Sequence, residues 1–300
     1  MVLGVGAALL STVLLALGAQ FQGRGVRGVE GAEDARRSGL RRILGLFTSG
    51  GWLLGSGFLT LAILLQLVGL LLAPLPVVQP IGVLSLVVTA LLSRRVAHAR
   101  IQRWGAIGIA VCLAGTTAFV VTATFATTTA PEPAAVVVPV LVLAGFVLLA
   151  LLIGYALLRR RLPAFVFATA GGVCFGFVAT LMKVVLDRGA EAVRAGDLLR
   201  PGIGFTLLVL VAAGAAGLAG ISLVQRAYSS GSADLVVAAL TVVDPLVAVT
   251  LGIVLLGQAR HAPGWTFAVF AAAELVAIAG VALMARHPPR PADTPGSPSG

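Results

Sequence analysis

The sequence predicts an all-α polytopic membrane protein with about nine transmembrane helices, arranged as two inverted four-helix repeats joined by a linker helix. Three observations predict it. Hydrophobic residues make up 59% of the chain and charged residues only 11%, which leaves too little polar surface to cover a water-soluble globule of 300 residues. Apolar stretches of about 20 residues, the length that crosses roughly 30 Å of hydrocarbon, recur along the chain. The segment Val77 to Leu86, VVQPIGVLSL, also returns as Val242 to Leu251, VVDPLVAVTL. Helices are the expected form because they satisfy their own backbone groups in lipid.

The first expected span, 2–21, has no basic residue ahead of its apolar run, so it should remain as a helix and not be cleaved as a signal peptide. Residues 22–46 follow as a basic, Gly-rich loop. Its Arg36, Arg37, Arg41 and Arg42 are placed to meet anionic headgroups on a short amphipathic helix, or to act as an orientation signal alone. Spans 50–73, 76–94 and 104–124 complete a first repeat over 1–124, and Thr124 to Pro133 form a polar turn. Span 135–157 is the linker helix. Spans 163–186, 203–225, 233–256 and 264–285 make a second repeat over 163–286, with Gly214 to Gly220 as a helix-packing stretch. The tail, 287–300, is Pro-rich and too polar to fold alone, so it is expected to be a disordered cytoplasmic segment. Trp52, Trp104 and Trp265 each fall at the start of a span, where the membrane interface favours Trp. Cys112 and Cys174 lie inside spans as small packing groups, with no metal-ligand spacing or disulfide framework around them.

A net charge of +10 would suit a nucleic-acid partner if the basic residues were clustered on a folded face. They lie in loops instead. With nine spans, one side collects 16 of the 21 basic residues, among them Arg24, Arg27, Arg94, Arg100, Arg159 and Arg226; only Lys183, Arg188, Arg194, Arg200 and Arg260 fall on the other. The positive-inside rule then puts the N-terminus outside and the C-terminus in the cytoplasm, and no nucleic-acid partner is expected.

The repeat fixes the internal geometry. Continued without a gap, the match carries the Ala-Gly ending at Gly115 onto that ending at Gly280. In the nine-span topology the Pro80 helix runs inward and the Pro245 helix runs outward, so the copies are inverted. Inverted repeats with Pro-interrupted helices at matching places point to a transporter's midplane site. Each proline removes a backbone donor and frees the carbonyl four residues earlier, and Gln79 and Asp244 put a polar side chain beside each break. The plainer alternative is a kink that serves packing alone.

Asp244 lies near the middle of its span, where an unpaired carboxylate costs roughly 2.5–3.5 kcal/mol. It should therefore face a cavity or a partner. Glu274 is similarly central in the last span, either on a proton or cation pathway or protonated and hydrogen-bonded between helices. Lys183, the one lysine beside twenty arginines, shares a helical face with Gly172, Gly176 and Ala179 and should point inward, unless it snorkels to the interface. Gln66, Gln225 and Tyr228 are further polar candidates, read as helix glue or end caps. His98, His261 and His287 lie at or beyond helix ends, and no catalytic set or phosphate-cradling loop is visible, so no enzyme and no cofactor are expected.

These residues resemble a known family. The run Ala73 to Gly115, APLPVVQPIGVLSLVVTALLSRRVAHARIQRWGAIGIAVCLAG, is similar to the signature of the drug/metabolite transporter superfamily, particularly its EamA-like and NIPA-like (magnesium-transporter-like) branches. GGVCFGFVATLMKVV around Lys183, LTVVDPLVAVTLGIVLLG around Asp244 and ALGAQFQ from Ala16 to Gln22 resemble other helices of that group. Where the family ends its proline-bearing helices with a Gly-Glu-Arg-like element, this chain reads Ser93-Arg94-Arg95 and Gly257-Gln258-Ala259. Four helices per repeat with a linker favour the NIPA-like arrangement.

The resemblance implies transport. The expected function is a secondary carrier that moves a small metabolite or ion by alternating access, with Gln79, Pro80, Asp244 and Pro245 at the cavity and Glu274 and Lys183 on the pathway. Cation-coupled movement of a metabolite is favoured over divalent-cation transport, because Mg²⁺ prefers several oxygen ligands and the spans supply only two carboxylates. A non-transporting scaffold or lipid-handling protein is the competing class. Membrane lipid and a small solute are the expected partners, with a homodimer compatible. The Arg-over-Lys and Ala/Gly/Val/Leu bias points to a GC-rich bacterial genome and so to the cytoplasmic membrane.

Overall fold

The computed structural model describes residues 1–32, 50–96, 103–128, 134–158, 162–196, 203–230 and 233–286. Among these the chain forms nine helices: α1 (Val2–Ala32), α2 (Gly50–Leu72), α3 (Leu75–Val96), α4 (Arg103–Ala126), α5 (Ala134–Leu158), α6 (Ala164–Arg194), α7 (Ile203–Ser230), α8 (Ala233–Val254) and α9 (Trp265–Arg286). Seven are long and apolar enough to cross a membrane, and the apolar stretches Val138–Gly154 in α5 and Ala239–Val254 in α8 are shorter. The chain is an all-helical polytopic membrane protein, as its composition requires. The basic residues expected between 33 and 46 and the tail 287–300 lie outside the described residues.

Three helices outrun the expected spans. α1 continues to Ala32, α6 to Arg194 and α7 to Ser230, since apolar content sets where lipid begins but a helix stops only where its backbone is broken. With 31 residues, α6 is about 46 Å long at 1.5 Å per residue and so exceeds the hydrocarbon thickness.

The packing repeats itself. In the first four helices α1 lies against α2 and α3; in the last four α6 lies against α7 and α8 in the same way. The groups meet chiefly through α4 against α9 and α3 against α8, with a smaller contact of α2 and α6, while among the described residues α5 packs against α6 and α7.

The crossing of α4 and α9 is reciprocal. A Cβ placed on Gly115 would lie 2.9 Å from Ala277 Cα, and one on Gly280 would lie 2.7 Å from Cys112 Cα. Cys112 and Ala277 stand in the same sequence register to one another as Gly115 and Gly280, and as Pro80 and Pro245. Residue numbers rise along one helix as they fall along the other, so the helices cross antiparallel about a local two-fold relation, as inverted copies require. Small residues allow this approach, which in lipid supplies packing that hydrophobicity alone cannot. Gly115→Val and Gly280→Val are each expected to destabilise the protein by roughly 1–3 kcal/mol through overpacking, whereas Gly145→Val, on α5 with open space beside it, should change little. Thermal unfolding in detergent would check this; unequal effects at the two crossing glycines would contradict the reciprocal contact.

One end of the α3–α8 contact is sealed. Along α3, residues 75–81 are all buried, whereas most of 82–90 are half-buried. Leu75, the first residue of α3, donates its backbone N–H to Gln258 Oε1 at 2.9 Å, and both residues are buried. Gln258 reaches it because the chain beyond α8 turns at Gly257, whose φ of 63° suits glycine. Its own N–H then bonds Gly252 O at 3.0 Å, and its carbonyl accepts Thr128 N–H at 2.9 Å just past α4. One glutamine thus ties the end of α8 to the start of α3 and the end of α4.

Candidate functional site

Between α1, α2, α3 and α8, with Phe175 of α6, lies a cavity of about 410 Å³. Its polar lining is Ser11 and Thr12 of α1, Gln66 of α2, Gln79 and Ser85 of α3, and Thr241 and Asp244 of α8; the rest is mainly apolar. Among the described residues no basic side chain lines it.

The sequence around each lining residue explains its position. Asp244 sits on α8 one residue before Pro245, which is buried and also faces the cavity. Pro245 has no N–H for the carbonyl of Thr241, so the helix carries both a free acceptor and a carboxylate at this level. The backbone of α8 is held close to α6 on its other side: a Cβ on Gly172 would meet Asp244 N at 3.3 Å, and one on Gly176 would meet Asp244 O at 3.0 Å. With its main chain against α6, Asp244 turns its side chain to the cavity. Its Oδ1 is buried and has no hydrogen-bond partner among the described residues.

On the opposite wall the hydroxyls are fixed by backbone carbonyls. Ser11 donates to Ala62 O at 2.8 Å; Thr12 donates to Ala8 O at 2.9 Å or to Ile81 O at 3.3 Å. On the Asp244 side, Thr241 of α8 likewise donates to Val237 O at 2.7 Å. A hydroxyl whose proton is committed in this way keeps lone pairs to offer, so the wall presents oxygen acceptors.

Of the residues that the sequence singled out, Gln79, Asp244 and Pro245 line this cavity, and Gln66, read as helix glue, joins them. Pro80 is buried in α3 but is not part of the lining. Glu274 is half-buried on α9 and lies away from the cavity. Lys183 is fully buried, 1% exposed, so it does not snorkel; its Nζ lies 2.9 Å from Asp187 Oδ1 one turn on, and the pair stands apart from the cavity. Asp187 Oδ2 is buried and unpaired among the described residues. The i, i+4 spacing of Lys183 and Asp187 was visible in the sequence, and was the signal for this partner. Ser11 and Thr12, adjacent hydroxyls in an otherwise apolar first span, carried a weaker signal. Among the described residues no three His, Cys, Asp or Glu side chains group as a metal cluster.

The sequence model of the family described as magnesium transporter NIPA matches residues 1–185, more than half of the chain. A Corynebacterium glutamicum protein described as uncharacterized is 28% identical over 261 residues, which cover 80% of this chain and 81% of that protein. No solved structure matches significantly.

Proposed function

The chain belongs to the magnesium transporter NIPA family and is a multi-pass membrane transporter; from that premise we propose that it is a carrier for a small cation, working by alternating access between two helical halves, 1–124 and 163–286, with 135–157 as the linker. The observation that carries this reading is Asp244, a carboxylate on a cavity with no basic side chain, with one buried oxygen unmatched by any described donor. An uncompensated acceptor at membrane depth is costly, and a cation entering the cavity supplies the missing charge. Gln79 faces the cavity from the matching place on α3, so each half contributes a polar side chain at the position before its helix-breaking proline.

Family membership supports a divalent cation as cargo. Mg²⁺ sheds water reluctantly and is commonly held by one or two carboxylates with several waters retained; a single Asp among hydroxyl and amide oxygens in about 410 Å³ suits a partly hydrated ion. The mainly apolar lining favours, as a second reading, a small organic cation. The charge distribution supports an N-terminus outside, a C-terminus in the cytoplasm and the cytoplasmic membrane as location; the Gln258 end then faces outward. No catalytic set enters this reading.

Flux into proteoliposomes decides between cargoes. Purified protein should give saturable uptake of Mg²⁺ or of a small organic cation and none of size-matched anions. Uptake of an anion would refute the cation-binding cavity, and no flux across a broad panel would favour a scaffold.

A further inference from the structure

We propose that Gln258 is the latch of one gate of this carrier: its side chain holds the cavity shut at the Leu75 end, and release of its hydrogen bond to Leu75 N opens that end. The inference rests on the alternating-access reading, which requires each end of the cavity to open in turn. In this structure the two ends differ. The wall toward Leu75 is closed by Leu75, Val77, Val78 and Ile81, none more than 2% exposed, while most of 82–90 on α3 is half-buried.

Gln258 is the polar contact that closes the sealed end across the α3–α8 seam. Leu75 N–H is one of the first donors of α3, which the helix itself cannot satisfy. Val77 and Val78 N–H are met by Pro74 O at 3.0 and 3.2 Å, Pro76 has none, and Leu75 N–H is met by Gln258 from the other half of the chain. The contact is also spatially exact in its neighbours: a Cβ on Gly252 would lie 3.0 Å from Leu75 Cβ and 3.1 Å from Gln258 Oε1. Opening this end must part α3 from α8, and among the described residues the hydrogen bond that joins those two elements there is this one. Breaking it is reversible at modest cost, because a freed N–H at a helix start can be met by water once the end is open. A gate needs such a contact, strong enough to seal and weak enough to yield.

The test uses the full chain with Cys112→Ala and Cys174→Ala, and Ser85→Cys as a reporter on the cavity wall. A membrane-impermeant thiol reagent should label the reporter mainly from the face opposite the Leu75 end. Gln258→Leu, which removes the acceptor, should raise labelling from the Leu75 face roughly threefold to tenfold, the shift that loss of one hydrogen bond gives an open–closed equilibrium. Gln258→Glu, which keeps an acceptor, should label as the parent does. A second pair keeps the test independent of how Gln258→Leu folds: Leu75→Cys with Gly252→Cys, whose Cβ atoms would lie 3.0 Å apart, a little inside the disulfide range. Oxidation should stop flux while leaving Ser85→Cys accessible from the opposite face, and reduction should restore flux. Unchanged labelling in a folded Gln258→Leu protein, or flux through the cross-linked one, would overturn the latch. The labelling arm needs no known cargo, so its failure is distinguishable from failure of the cation-carrier reading; the cross-link arm is read as flux and applies once a cargo has been found.

Discussion

Asp244→Asn is expected to weaken cargo binding by roughly ten- to a hundredfold, while expression and thermal stability stay near those of the parent. Asparagine keeps the size and most of the hydrogen-bonding capacity of the side chain but removes its charge. A hydrogen bond to a charged group contributes about 1.5–3 kcal/mol, which sets that range of affinity. Initial flux against cargo concentration reads it, and the loss should appear as a raised half-saturation concentration. A structural Asp244 that only mends the turn broken by Pro245 predicts normal flux, because Asn mends it equally well. Normal flux would remove Asp244 from the pathway and leave Glu274, which lies away from the cavity, as the next carboxylate to test.

Lys183→Met is expected to destabilise the folded protein by about 3–5 kcal/mol, the effect of leaving one member of a buried ion pair without its partner. Here the stranded group is Asp187, whose second oxygen already lacks a partner among the described residues. The double variant Lys183→Met/Asp187→Leu should recover most of that loss, since a buried pair replaced by apolar side chains of similar volume is often neutral or better. Thermal unfolding of the three proteins in detergent measures both steps. A double variant as unstable as the single one would mean that Lys183 contributes by packing and not through its charge.

How much of this was legible in the sequence varied with the range of the interaction. The spans could be read because each must meet lipid along its whole length, a demand that every residue in the run reports. Asp244 and Gln79 could be read because the repeat placed them beside matching prolines, and both line the cavity. Glu274 had the same depth and carboxylate chemistry but stands elsewhere, because depth along a helix says nothing about which way its face points. Ser11 and Thr12 pass as ordinary helix residues until Ala62 and Ile81 are seen to accept their protons. Gln258 was visible only as a departure from an acidic pattern. Its contact with Leu75 spans most of the chain and depends on a single left-handed turn at Gly257, which local sequence does not signal.

The crossing at Gly115 and Gly280 bears on how such a molecule can move at all. If the two halves trade shapes during transport, every contact between unlike helices must be remade in its mirror role, as a lock on one side becomes a hinge on the other. A contact that maps onto itself escapes that demand. Gly115 over Ala277 and Gly280 over Cys112 are the same contact seen from either half, so exchanging the halves leaves their fit unchanged. On the proposed alternating-access reading, backbone can therefore be pressed against backbone there without hindering the cycle, and this contact would be the bearing on which both arms swing.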